Sequence, residues 1–157
     1  DSPVMGVTWH EAGAFCRWLS AATGESVTLP TEQQWQRAGQ GDDGREFPWG
    51  SDNPDETRCN WARNVDGTTP VTQYPLGASP YGVMDLCGNV WEICRTSWES
   101  GGTHLDGAER RIVRGGCWVN DSPVTLMITQ RDGPHPADTY HLFGFRCALE
   151  NGADSGQ

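Results

Sequence analysis

The side chains able to do chemistry in this chain are four histidines, six cysteines and a scatter of Asp and Asn in Gly-rich stretches. Thiolates act as nucleophiles or hold soft metals, and two of them in one loop would suit zinc or Cu(I). Cys16, Cys59, Cys87, Cys94, Cys117 and Cys147 are instead spread along the chain with no Cys-x-x-Cys pair. Their spacing reads first as buried small apolar side chains, second as disulfides in an oxidising setting, and last as catalytic thiols. His10, His104, His135 and His141 form no metal-ligand grouping with a carboxylate. A phosphate-cradling Walker loop and a Gly-x-Ser-x-Gly elbow are both missing, so nothing in the sequence argues positively for catalysis. Oxygen donors are the remaining chemistry. In Cys59-Asn60-Trp61-Ala62-Arg63-Asn64-Val65-Asp66-Gly67-Thr68, a hard cation could take the Asn60 and Asp66 oxygens with nearby carbonyls, since calcium needs about six to eight oxygens on flexible loops. Asx residues in such loops also serve as turn formers, and spacing leaves both readings open.

Positioning these side chains falls to 157 residues, which by length make one domain, 1–150, followed by a polar tail, 151–157, that reads as disordered. With 36% hydrophobic residues but 20 Gly, 10 Pro and 8 Trp, the core must be built from aromatic anchors joined by turns. The 21 acidic and 11 basic side chains leave a charge of −10, the wrong sign for a phosphate-backbone binder, so nucleic acid is not an expected partner. No stretch reaches the roughly 18 apolar residues of a membrane span, and the first residues lack the basic-then-apolar pattern of a signal peptide. A soluble domain with no membrane insertion is expected.

Two helices are legible. Thr8 with Glu11 makes a capping box, Ala12, Phe15, Cys16 and Leu19 follow at helical spacing, and Gly24 ends the run, predicting a helix over 9–22. Thr31 with Gln34 opens a second, 32–38, carrying Trp35 and Ala38. Beyond Gly44 no helical period persists. Short strands are predicted at 91–95, 111–113, 117–119, 124–129 and 145–149, giving an α+β, loop-rich fold with a small antiparallel sheet.

Six landmarks run in order through the chain: Leu29-Pro30-Thr31-Glu32-Gln33-Gln34-Trp35, Pro48-Trp49-Gly50, Ser79-Pro80-Tyr81-Gly82-Val83-Met84-Asp85, Gly88-Asn89-Val90-Trp91-Glu92, Arg114-Gly115-Gly116-Cys117-Trp118 and Phe143-Gly144-Phe145-Arg146-Cys147. From about Pro3 to Leu149 the pattern resembles the formylglycine-generating enzyme (sulfatase-modifying factor) family, a branch of the C-type lectin-like fold. Asp1 enters that pattern partway along, as a fragment or shortened version would. The family's enzymes hold calcium on loops matching Asn60 and Asp66, and a second metal on positions matching Asp85 and Asn89. The resemblance therefore implies one structural calcium, with no cofactor otherwise required. Those enzymes also bind copper through two thiolates shortly after the Arg-Gly-Gly bracket. The matching stretch here, Trp118-Val119-Asn120-Asp121-Ser122-Pro123-Val124-Thr125, contains no cysteine, and Cys117 stands where the family usually has Ser. A related family makes ergothioneine with a histidine-rich iron site that has no counterpart among these 157 residues.

Between the last two landmarks lies Arg131-Asp132-Gly133-Pro134-His135-Pro136-Ala137-Asp138-Thr139-Tyr140-His141-Leu142. Ordinary family members are rich in Arg, Asn and Ser here. The Asp, Gly, Pro, His, Ala, Thr, Tyr and Leu found instead are all reachable from an AAC codon by changing adenines alone, whereas Met127 and Gln130 need other starting codons. This pattern resembles the variable proteins of diversity-generating retroelements, C-type lectin-like scaffolds whose last stretch is mutated at adenines and forms the ligand surface. The reading implied is a non-enzymatic binding protein of viral or prokaryotic origin. Its ligand surface would be Val119, Asn120, Asp121, Val124, Thr125, Met127, Gln130, Asp132, Gly133, His135, Ala137, Asp138, Tyr140 and His141. Cys117, Trp118, Arg131, Gly144, Phe145 and Arg146 would be frame. The partner would be a macromolecule, a protein, on another cell or particle, and the protein would sit at a cell surface or on a virion. Two alternatives stand beside it: a formylglycine-generating-type oxidase, disfavoured by the missing thiol pair, and a calcium-dependent lectin, which lacks a Glu-Pro-Asn or Gln-Pro-Asp motif.

Overall fold

Both capping boxes form. In the computed structural model, which describes residues 1–150, the Thr8 hydroxyl accepts from the Glu11 N–H at 3.1 Å while the Glu11 carboxylate accepts from the Thr8 N–H at 2.8 Å, opening α1 at Trp9–Thr23. Thr31 and Gln34 repeat the arrangement at the start of α2, Glu32–Gln40. Each box satisfies two N–H groups that the first turn of a helix leaves without partners. Helix α1 buries Trp9, Ala12, Gly13 and Cys16, and α2 buries Trp35 and Gly39. The tail predicted over 151–157 lies outside the described residues.

The strands are β1 (Val27–Thr28), β2 (Trp91–Ser97), β3 (Arg111–Arg114), β4 (Arg131–Asp132), β5 (Phe143–Gly144) and β6 (Ala148–Leu149). β1 and β6 form an antiparallel pair, Val27 opposite Leu149 and Thr28 opposite Ala148. The other four form a sheet in the order β4-β3-β2-β5. It is not wholly antiparallel: β5 runs parallel to β2, with Trp91 opposite Phe143 and Glu92 opposite Gly144. Two predicted strands are turns. The aromatic and aliphatic side chains of 117–119 and the β-branched run at 124–129 suggest extension, but Pro123 has no N–H to give to a ladder and opens a 3-10 turn, Pro123–Leu126. The Asn120 N–H likewise bonds locally, to the Cys117 carbonyl.

Alternation along the strands assigns the two faces of the sheet. Trp91, Ile93 and Val113 join Trp9, Ala12, Cys16, Leu29 and Cys117 on the α1 side, while Cys94 and Ile112 join Trp35, Leu86 and Ile128 on the α2 side. A third cluster, Phe47, Cys59, Cys87 and Leu126, closes the core beneath the central loops. One helix thus lies on each face, and the sheet's edges and ends are left to the long irregular segments. The fold class is α+β, as the sequence indicated.

Candidate ligand-binding surface

The segment after β3 is held by buried charge. Arg114 donates through Nη1 to the Gln130 carbonyl at 2.9 Å and through Nη2 to Gln36 Oε1, with its Nε 3.6 Å from the Glu32 carboxylate. Burial pulls the Arg114 pKa down, and Glu32 opposes that shift. Arg131 reaches the same Glu32 carboxylate at 3.0 Å, so one acid ties both ends of residues 114–131 to α2. Farther along, Arg146 is ion-paired to the buried Glu92, which also accepts from the Trp35 indole N–H. The glycine at 116 is required: its φ is +72° and a Cβ would stand 2.5 Å from Leu126 Cδ2.

On this frame the first arm, residues 117–130, presents few side chains freely. Asn120 Oδ1 accepts from the Cys117 N–H at 2.8 Å, Val119 packs on the α1-side core, and Met127 packs on the third cluster. The half-buried Gln130 gives its carbonyl to Arg114. Asp121 and Val124 are exposed, Val124 to 60%, with Thr125 half-buried beside them. A turn that the sequence reading missed stitches this arm in place. The Ala62 N–H donates to the Asn120 carbonyl at 2.8 Å and the Arg63 N–H to the Trp118 carbonyl at 2.9 Å. The Asn64 N–H closes the turn on the Trp61 carbonyl, and φ is +49° at Ala62 and +57° at Arg63. That is type I′ geometry, which ordinarily takes Asn-Gly, so Ala-Arg gives no local cue for it.

The second arm begins at β4 on one edge of the sheet and ends at β5 on the other. The Arg111 N–H takes the Pro134 carbonyl at the start of β3, and the Trp91 N–H takes the Leu142 carbonyl at the start of β2. Since β2 and β3 are antiparallel, residues 134–142 run back along the length of β2 to reach the opposite edge. Most of the anchoring is by backbone groups. His135, Ala137, Tyr140 and His141 are exposed, and Asp132 is exposed at the start of the arm. The Asp138 carboxylate accepts from the His135 N–H at 3.0 Å and so caps its own turn. Tyr140 sets its ring edge-to-face with Phe143 at 4.9 Å while remaining 52% exposed. Gly133 requires a correction. It is buried against Trp98, where a Cβ would come within 2.6 Å of the indole, so it belongs to the frame and not to the displayed set. Arg110 and Arg131 flank the same indole, at 5.3 and 4.8 Å from its ring.

Three of the four residues proposed for metal lie in one network. Asn89, wholly buried with φ +57°, donates from Nδ2 to the Asp85 carboxylate at 2.8 Å and to the Thr69 carbonyl, and accepts at Oδ1 from Asn60. Asn60 Nδ2 also donates to the Gly67 carbonyl, whereas Asn60 Oδ1 is buried without a donor. Burial, opposed by the Asn89 hydrogen bond, pushes the Asp85 carboxyl up to about 7. Asp66 is exposed, one residue before that Gly67 carbonyl. The orphaned Asn60 oxygen and the half-buried Asp85 carboxyl suit a hard cation, although the Gly67 and Thr69 carbonyls are already taken by amide hydrogens. Among the described residues no three His, Cys, Asp or Glu side chains gather as a metal site. Five of the six cysteines are buried; burial pushes Cys59 up to about 12 and raises Cys87, Cys94 and Cys117 as well.

Comparison with known proteins places this geometry. The sequence model of the sulfatase-modifying factor enzyme 1-like domain matches residues 1–151. The chain is 31% identical to the inactive C-alpha-formylglycine-generating enzyme 2 of Mus musculus, over 97% of this chain and 50% of that protein. It is also 31% identical to hercynine oxygenase of Mycobacterium tuberculosis, over 96% of this chain and 37% of that enzyme. The chain thus spans about half the length, or less, of these curated relatives. Among solved structures, PvdO from Pseudomonas aeruginosa superposes with a TM-score of 0.82 at 24% identity, covering 95% of this chain and 62% of that one. Variable protein 1 of Treponema denticola superposes at 0.78 and 22% identity, covering 94% and 71%. The major tropism determinant U1 variant follows at 0.54 and 15% identity, covering 90% and 37%. At these identities the superpositions establish the fold, the C-type lectin-like architecture with two helices and small sheets.

Proposed function

Since the chain belongs to the sulfatase-modifying factor enzyme 1-like family, whose members include both enzymes and proteins named inactive, we propose that it is a non-catalytic binding protein. Its ligand surface would be the exposed part of residues 119–141, varied by a retroelement, and its ligand a protein on another cell or particle. One observation carries this reading. The arm from β4 to β5 is anchored chiefly through backbone groups, Gly133 and Pro136, while His135, Ala137, Tyr140 and His141 are exposed, with only the His135 Nδ1 accepting from the Ala137 N–H of its own turn and the Tyr140 ring resting edge-on against Phe143. Side chains that the frame does not need can change without unfolding it, as in antibody loops, where Tyr supplies rigid area and small polar residues supply adaptable hydrogen bonds. The likeness to variable protein 1 supports the same reading through the fold. The displayed set proposed is Asp121, Val124, Thr125, Asp132, His135, Ala137, Tyr140 and His141, with Val119, Asn120, Met127, Gln130 and Asp138 contributing only what their structural contacts leave free. A calcium ion bound to the central loops would be held by Asn60 and Asp85 and would serve only to fix the frame.

The test is saturable binding of labelled protein to intact cells in a bacterial panel. Unlabelled protein should compete, and the Tyr140→Ala, His141→Ala double variant, with its melting temperature lowered by no more than a few degrees, should need at least about tenfold more. A double variant competing as well as the unaltered protein would contradict the assignment. A second reading, an oxidase, has hercynine oxygenase among the relatives behind it. Copper binding and oxygen consumption with a cysteine-containing peptide separate the two, and both should be negative here because residues 118–125 hold no thiol.

A further inference from the structure

Helix α1 turns one stripe of side chains away from the core. Its buried positions are Trp9, Ala12, Gly13 and Cys16, whereas Glu11, Phe15 and Trp18, four and then three residues apart, share another face, with Trp18 exposed to 61%. Aromatic area left open in this way marks a contact surface. The Phe15 ring lies 5.5 Å from that of Trp18 and 5.6 Å, edge-to-face, from that of Phe145, which reaches it from the segment after β5. The first residues of the chain complete the enclosure, and the Gly6 N–H fixes their backbone by donating to the Phe143 carbonyl at 3.1 Å. Val4, Val7, Glu11, Phe15, Phe145 and Cys147 thus line an apolar pocket of about 360 Å³. Val7 and Phe145 also pack on the α1-side core, so two of its walls belong to the fold and need no ligand to form.

Glu11 is the one charged side chain among these lining residues. Its Oε2 accepts from both the Thr8 N–H and the Thr8 hydroxyl, at 2.8 Å each, and among the described residues Oε1 accepts from none. Those two bonds, the backbone one first, hold the Glu11 carboxyl below the usual carboxylate range, so it stays ionised at neutral pH. An occupant without a positive group would cover an ionised oxygen with apolar surface, which costs free energy. A second copy of the chain would do so with a charge of −10 on each copy opposing the approach. A cation instead pairs with that oxygen, and aromatic rings such as Phe15 and Phe145 add the attraction of their π faces.

We propose that this pocket is a binding site for small arylalkyl amines, the apolar body lying among the Val and Phe side chains and the ammonium donating to Glu11 Oε1. The site shares no residue with the surface at 119–141.

Titration of the 157-residue protein with phenethylamine, phenethyl alcohol and hydrocinnamate, followed through the Val4 and Val7 methyl resonances, tests this. The three probes share a phenyl ring and tether and differ in charge. The amine should bind saturably and about three- to tenfold tighter than the alcohol, with the carboxylate weakest and the advantage of the amine shrinking in high salt. Glu11→Gln should bring the amine to the level of the alcohol. Because Gln also completes a capping box, the melting temperature of that variant should fall by no more than a few degrees. Equal affinities for the three probes, an amine preference that survives Glu11→Gln, or saturation that leaves the Val4 and Val7 methyl groups unmoved overturns the proposal. So does a shift of the same resonances with protein concentration alone, which would make this face a contact between copies. The comparison among probes is made on the unaltered protein and needs no variant to fold.

Discussion

Asp85 is a carboxylic acid whose ionisation is constrained by its surroundings. Its carboxyl is raised to about 7 by burial, against the Asn89 hydrogen bond, so the native state binds a proton more tightly than the unfolded chain does. The stability this contributes is fully present below the ordinary carboxylate pKa and is lost as pH rises towards 7. In calcium-free buffer the melting temperature should therefore fall between about pH 4 and pH 7 through this group, and Asp85→Asn should flatten that slope. Asn tolerates the left-handed φ of +62° found there and keeps an acceptor for Asn89. A slope unchanged by the substitution would show that Asp85 ionises freely. A second contrast separates display from frame within one loop. Gly133→Ala drives a methyl group into Trp98 and should cost about 1 to 3 kcal/mol. Tyr140→Ala should cost no more than about 1 kcal/mol, the scale of one exposed ring pair with Phe143. Equal losses at the two positions, read from chemical denaturation, would contradict the division drawn between them.

At the scale of elements, the sheet is organised around β2, which is paired on both sides and contributes to both helix-facing cores. Trp91→Ala at its first position, buried among Trp9, Leu29 and Val113, should cost about 3 to 5 kcal/mol by equilibrium unfolding. A loss under 1 kcal/mol would mean that the α1-side core does not depend on this ring. How far such elements can be read in advance depends on how local their causes are. Both helices were legible because Thr8 with Glu11 and Thr31 with Gln34 announce their starts within four residues. The parallel pairing of β5 was not, since two residues carry no periodicity and their partner lies some fifty positions away. The runs at 117–119 and 124–129 differ for the opposite reason: aromatic and β-branched side chains point to strands, while Gly115 and Gly116 before the first run and Pro123 before the second impose turns. In the candidate surface, exposed positions such as His135 and His141 were legible as loop residues. Asn120 and Asp138 were not legible as turn formers, because Asx side chains suit both roles and only the fold decides which they play.

For the whole molecule, the fold and the family are one matter and the activity another. A scaffold of this family carries enzymes and inactive proteins alike, and the difference lies in the few side chains set on its loops. Here those loops carry exposed aromatic, imidazole, acidic and aliphatic groups on a backbone tied down by Arg114, Arg131 and Arg146. The proposal that residues 119–141 are a variable surface written by a retroelement is open to a genetic test. Sequencing the DNA that flanks the gene and searching it for a second copy of the codons for residues 111–149 tests this most directly. A near-copy is expected beside a reverse transcriptase gene, differing almost wholly at adenines, with the differences at codons such as those of His135, Tyr140 and His141 and absent from those of Arg114, Gly116 and Arg146. A flanking region with no such copy, or a copy whose differences fall on the frame residues, would contradict it.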